Sequence, residues 1–99
     1  MANILLICTA GMSTSMIVKK MEAAAATRGI EAKIWAVGDA LAKDNIPNAD
    51  VIMLGPQVKF LLKKTQDLAG DKPVLVIDIR DYGLMNGDAI LTQALDAVK

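Results

Sequence analysis

The chain contains no histidine. That absence removes Cys–His nucleophile pairs, most zinc sites and every acid/base scheme built on an imidazole. Aromatic residues are almost missing as well. Trp35, Phe60 and Tyr82 are the whole set, too scattered to form a stacking platform for bases. Neither sign of charge dominates: eleven basic and eleven acidic residues cancel, and nothing suggests the clustered Lys and Arg that a nucleic-acid surface needs. A single cysteine, Cys8, excludes an intrachain disulfide framework and a Cys-x-x-Cys redox pair, and it suits a reducing compartment. The apolar run at the start is too short to cross a bilayer and lacks the basic start and cleavage site of a signal peptide. These absences predict a soluble cytoplasmic protein that serves a membrane process only by docking.

What is present is a set of short apolar runs alternating with amphipathic stretches. Ninety-nine residues, 54% of them hydrophobic, suffice for one domain over residues 1–99, with a core of aliphatic and Met side chains. Ala2 to Ile7, Ala32 to Val37, Asp50 to Leu54 and Val74 to Ile77 read as four strands. Trp35 marks a partly covered edge. Met16, Ile17, Met21, Ala24 and Ala25 recur at helical spacing between Ser13 and Arg28, and Gly29 closes that helix. A short helical turn over Asp39 to Lys43, a helix over Gln57 to Leu68 and one over Asp88 to Val98 follow the same logic. Asp81 to Gly87 reads as a long turn-rich segment. Four strands alternating with helices predict an α/β fold: a doubly wound, four-stranded parallel sheet with helices on both faces. Ligands of such sheets sit at the carboxyl ends of the strands, near the switch in strand order. Cys8, Gly55-Pro56-Gln57 and the segment from Asp78 to Gly87 all belong to that rim.

Cys8 is the one candidate nucleophile. A free cysteine is often only a small buried hydrophobe. This one ends a strand and precedes Thr9, Ala10, Gly11, Met12, Ser13, Thr14 and Ser15, a hydroxyl-rich loop that leads into a helix. The first backbone N–H groups of a helix lack intrahelical partners and face an anion placed there. The helix dipole contributes only ~0.3–1 kcal/mol, up to ~2 when partly buried. Each charge-assisted hydrogen bond to a bound phosphoryl group is worth more, ~1.5–3 kcal/mol, and the loop offers several through its amides and the hydroxyls of Thr9, Ser13, Thr14 and Ser15. One of those hydroxyls must also cap the helix. The loop therefore favours a phosphoryl group on sulfur more than it activates the thiol. Transfer in line requires that the sulfur be reachable and the equatorial oxygens cradled.

The sixth residue after Cys8 is Thr14, so the Cys-x5-Arg phosphate clamp of cysteine phosphatases is missing. No Walker A sequence occurs either. A cysteine equipped to accept phosphate but not to hydrolyse it points to a carrier. Gln57 and Tyr82 are candidate rim contacts. Asp78, Arg80 and Asp81 read as a solvated, helix-capping or salt-bridging cluster. No metal or cofactor is expected.

Ile4-Leu5-Leu6-Ile7-Cys8, then Ala10-Gly11-Met12-Ser13-Thr14-Ser15, then Leu54-Gly55-Pro56-Gln57-Val58, then Tyr82-Gly83 ahead of Gly87 resemble the IIB component of the bacterial sugar phosphotransferase system, in its lactose/cellobiose (chitobiose) class. The resemblance runs end to end. It implies a phosphocysteine at Cys8, a phosphohistidine donor on a IIA partner, and an acceptor sugar such as cellobiose, chitobiose or lactose held by the membrane-embedded IIC component. Two alternatives from other classes remain at this point: a flavodoxin-like FMN-binding module, and a small cysteine phosphatase or arsenate reductase.

Overall fold

The structure, a computed structural model, describes residues 2–8 and 12–98; of Met12 and Ser13 it describes the backbone alone. Among the described residues the elements are β1 (Ala2–Cys8), α1 (Met12–Thr27), β2 (Ala32–Gly38), α2 (Ala42–Asn45), β3 (Val51–Leu54), α3 (Leu62–Ala69), β4 (Val74–Val76), α4 (Ile79–Gly83) and α5 (Gly87–Ala97). Short 3-10 turns cover Asp39–Leu41, Ile46–Asn48 and Pro56–Leu61.

The sheet has the order β2-β1-β3-β4 and every pairing is parallel. The chain leaves β1 for β2 on one side and then crosses to β3 on the other. The switch in strand order therefore falls between β1 and β3, and Cys8 and Gly55 follow from those two strands. The pleat explains the core. Alternate residues of a strand face opposite sides. Ile4 and Leu6 of β1 pack with Ile17, Met21 and Ala25 of α1 and with Ile90, Leu91 and Ala94 of α5. Leu5 and Ile7 pack on the other face with Ala42, Ile46, Val58 and Ala69. Because both faces are covered, β1 is a continuous apolar run, as buried parallel strands are.

The expected doubly wound sheet is what the chain forms. Three local expectations differ. The stretch expected as one helix over 57–68 is a 3-10 turn followed by α3, with non-helical angles at Val58 (φ −117°, ψ 22°). Val58 is wholly buried there, so packing of that side chain overrides the helical pattern. The turn-rich 81–87 segment begins inside a helix, α4, because Asp78 caps it: its Oδ1 accepts the Arg80 and Asp81 amides at 2.8 and 3.2 Å. Met16, expected on the buried stripe of α1, is exposed along with Leu68. Trp35 does lie on an edge strand, β2, and its Nε1 donates to Asn45 Oδ1 at 3.0 Å.

α1 and α5 cross closely at Gly87. A Cβ there would lie 2.5 Å from the Lys20 carbonyl carbon and 2.6 Å from the Met21 nitrogen. Both are backbone atoms that no rotamer change can move. Arg28 ties the same helices together, donating to Asp88 Oδ1 at 2.6 Å and Thr92 Oγ1 at 2.7 Å. Its ends are largely in water, so that pair adds no more than ~1 kcal/mol. The close approach is the stronger constraint. Gly87→Ala is expected to lower stability by ~1–3 kcal/mol, the usual cost of overpacking, read from the urea midpoint. An unchanged midpoint would show that the two helices separate freely.

Candidate functional site

Three segments meet at the carboxyl rim. Cys8 closes β1 opposite Gly38 of β2. The Gly55 amide donates to the Ile7 carbonyl at 2.9 Å, which holds the end of β3 against the end of β1. Asp78 follows β4 and starts α4, and the Tyr82 amide donates to the Asp78 carbonyl at 2.9 Å. That turn brings the Tyr82 ring back over the rim.

Gly55 lets these groups close in. A Cβ on it would sit 2.9 Å from Gln57 Oε1, 3.6 Å from the Ile7 carbonyl oxygen and 3.6 Å from Tyr82 Cε2. Gln57 and Tyr82 thus cover one point at the mouth of the β1/β3 switch. The Tyr82 hydroxyl lies 3.4 Å from Thr14 Oγ1. Thr14 belongs to the first turn of α1 and is only 1% exposed. This long hydrogen bond joins α4 to the start of α1, next to the amides of residues 12–15, which a helix leaves without internal acceptors.

Cys8 itself is 3% exposed. Its Sγ sits 4.0 Å from the Val37 carbonyl oxygen, to which it donates weakly. The expectation of a sulfur lying open on the rim therefore differs from the structure, which shows the resting thiol turned toward β2. The physical reason is simple. A protonated thiol behaves as a small apolar group with one weak donor, and the neighbouring edge of β2 supplies apolar cover and one acceptor. Loss of the thiol proton would remove that weak donation to the Val37 carbonyl.

Of the residues singled out from the sequence, the structure brings Thr14, Gln57 and Tyr82 together near the end of β1. Ser15 is exposed on α1. Thr9, Ala10 and Gly11 lie outside the described residues, as do the side chains of Met12 and Ser13. Asp78 serves as a cap, in line with the structural reading of that cluster. Arg80 is exposed, and Asp81 is half-buried. No group of three or more metal-ligating side chains occurs among the described residues. No helix among them is long and apolar enough to cross a membrane.

Sequence reasoning missed an apolar collar. Met16, Leu41, Phe60, Ile79 and Leu84 are large and exposed, Phe60 and Ile79 by 75% and 76%. Each lies in a segment that follows the carboxyl end of a strand. The signal was available: Phe60 and Ile79 each stand outside any buried periodicity. A hollow of about 650 Å³ lies at the opposite end of the sheet beside Ala2, Asp50 and Lys72. Two of its polar side chains are engaged, Lys72 Nζ by the Ile46 and Pro47 carbonyls and Asp50 by Asn3, and it lies far from the carboxyl rim. It is therefore not the chemical centre, despite its size.

The family model described as "PTS system, Lactose/Cellobiose specific IIB subunit" matches residues 3–93. The chain belongs to that family. The oligo-beta-mannoside-specific EIIB component of Bacillus subtilis (strain 168) is 44% identical over 97 residues, covering 96% of this chain and 94% of that protein. The cellobiose-specific EIIB component of Lactococcus lactis subsp. lactis (strain IL1403) is 43% identical over 99 residues, covering 92% and 91%. The solution structure of a cellobiose-specific IIB component from Borrelia burgdorferi shares 38% identity and superposes with a TM-score of 0.81, covering 98% of this chain and 91% of that one. A lactose-specific IIB domain from Streptococcus pneumoniae reaches 0.84 over 99% and 98% at 14% identity, a likeness of fold alone. IIB components of the phosphotransferase system transfer phosphoryl groups in sugar uptake and work with other components of the system.

The Asp78 cap is the part of this rim most directly open to test. Asp78→Ala is expected to cost ~0.5–2 kcal/mol and to speed amide exchange in α4. Asp78→Asn, which keeps an acceptor, is expected to retain most of the stability. Equal losses in both variants would mean that charge, not capping, holds α4 in place.

Proposed function

We propose that Cys8 carries the phosphoryl group. In the first step the Cys8 thiolate attacks the phosphorus of a phosphohistidine on a IIA partner. An S–P bond forms, the N–P bond breaks, and the imidazole nitrogen takes up a proton. In the second step a hydroxyl of a sugar held by the membrane IIC partner attacks the same phosphorus. A P–O bond forms, the S–P bond breaks, and the hydroxyl proton is lost as the thiol is restored. No metal or dissociable cofactor enters either step.

The single observation that carries this reading is the position of Cys8: the end of β1, at the switch in strand order, within a few residues of the first turn of α1. The amides of that turn and the Thr14 hydroxyl are groups of the kind that cradle a phosphoryl group. Thr9, Ala10, Gly11, Met12, Ser13 and Ser15 complete the proposed loop. Gln57 and Tyr82 are proposed as rim contacts to the phosphoryl group or to a partner. The large apolar side chains exposed on the segments after the strands support docking of a protein donor and then a membrane acceptor on the same rim. The chain then works as one IIB domain over residues 1–99, in the cytoplasm and transiently at the inner face of the membrane. The sugar is a β-linked disaccharide or a close relative. Named relatives are specific for oligo-beta-mannosides, cellobiose and galactose.

Cys8→Ser is expected to abolish labelling by a phosphorylated IIA partner and sugar phosphorylation by the reconstituted system, with the circular dichroism spectrum and melting temperature nearly unchanged. Label retained by the serine variant would move the carrier site to another residue. The wild-type protein is expected to show no turnover of a phosphomonoester, whereas robust turnover would restore the phosphatase reading.

A further inference from the structure

The face of the sheet away from α1 holds a second recess, between α2 and α3. Its volume is about 500 Å³, within the ~300–1,000 Å³ range of small-molecule sites. Ile7, Ala42 and Leu61 form an apolar floor. Thr65, 4% exposed, is part of the wall. Lys43, Lys64 and Asp39 are exposed at the mouth. Among the described residues no ion pair engages either lysine. Two free ammonium groups over an apolar floor are complementary to an anion with an apolar body. A sugar is a poor match, because among the described residues the lining has no aromatic face and only one carboxylate. A metal ion is a poor match for the same lack of carboxylates. Asp39 at the same mouth opposes a second negative charge on the ligand, which favours a monoanion over inorganic phosphate.

We infer that this recess binds a small organic monoanion, its head between Lys43 and Lys64 and its body on Ile7, Ala42 and Leu61. The site is separate from the phosphoryl-carrying loop, and its existence does not depend on the role proposed for Cys8. It is nevertheless adjacent to it. Ile7 forms part of its floor, directly precedes Cys8, and accepts the Gly55 amide at 2.9 Å. An occupant presses on the strand that carries the thiol.

The test is a titration of the ¹⁵N-labelled full chain with naphthalene-1-sulfonate, with naphthalene-1-methanol and inorganic phosphate as separate arms. Saturable amide shifts are expected at Ile7, Ala42, Thr65 and Gly55 with the sulfonate. The neutral alcohol and phosphate alone are expected to bind at least about ten-fold more weakly. The double variant Lys43→Glu/Lys64→Glu, which alters only exposed side chains, is expected to weaken sulfonate binding by at least about ten-fold while keeping the native amide spectrum. Phe60→Ser, on the collar, is expected to leave it unchanged. Shifts that do not saturate, that map to Phe60 and Ile79 instead, or that are equal for sulfonate and alcohol would overturn the assignment. So would full binding by the double variant.

Discussion

The structure depends on the burial of β1. This strand is paired on both edges, with β2 and β3, and covered on both faces, by α1 and α5 on one side and by α2, α3 and Val58 on the other. Ile4, Leu5 and Leu6 are completely shielded from water. At ~1.5–3 kcal/mol per fully buried aliphatic side chain, this strand is heavily anchored. Its rigidity gives the carboxyl end a defined position. The chain then departs in opposite directions around β1, so a notch forms where its end meets that of β3. A thiol placed there has a fixed base and, above it, elements drawn from α1, β3 and α4.

The rim is built from weaker links than the core. A 3.4 Å contact between Thr14 and Tyr82 and a sulfur 4.0 Å from the Val37 carbonyl are both long. Each holds the resting arrangement without costing much to break. This suits the carrier role proposed for Cys8, in which the sulfur is covered between encounters and reached during them. The cover over Cys8 is specific to the protonated thiol, because only that form donates to Val37. The thiolate of the proposed transfer does not make that donation, and amides at the start of a helix are suited to an anion.

The layout of the fold was legible in the sequence because its signals are local. Unbroken apolar runs such as Ile4-Leu5-Leu6-Ile7 mark buried parallel strands, and helix-spaced residues such as Ile17, Met21, Ile90, Leu91 and Ala94 did turn inward. The failures have one cause, tertiary packing that a local pattern does not contain. Val58 was placed on a regular helix, but burial of its side chain breaks the turn around it. The 81–87 segment was read by its turn-forming residues, whereas the Asp78 cap three residues earlier decides that a helix starts. Met16 matches the apolar period and still faces water. At the site, the types of residue were legible and their meeting was not. Nothing in the spacing of Thr14 and Tyr82 shows that their hydroxyls approach, since 68 residues separate them. Whether the thiol faces solvent or β2 likewise depends on strand order, which the sequence leaves open until β1 is known to lie between β2 and β3.

The central claim concerns one sulfur atom, and peptide mass mapping tests it most directly. The wild-type protein would be incubated with the phosphorylated upstream components, digested under conditions that preserve thiophosphate esters, and mapped. The account predicts phosphate on the peptide containing Cys8, with fragment ions that assign it to sulfur. Phosphate on Ser13, Thr14, Ser15 or Tyr82, with Cys8 unmodified, would contradict it.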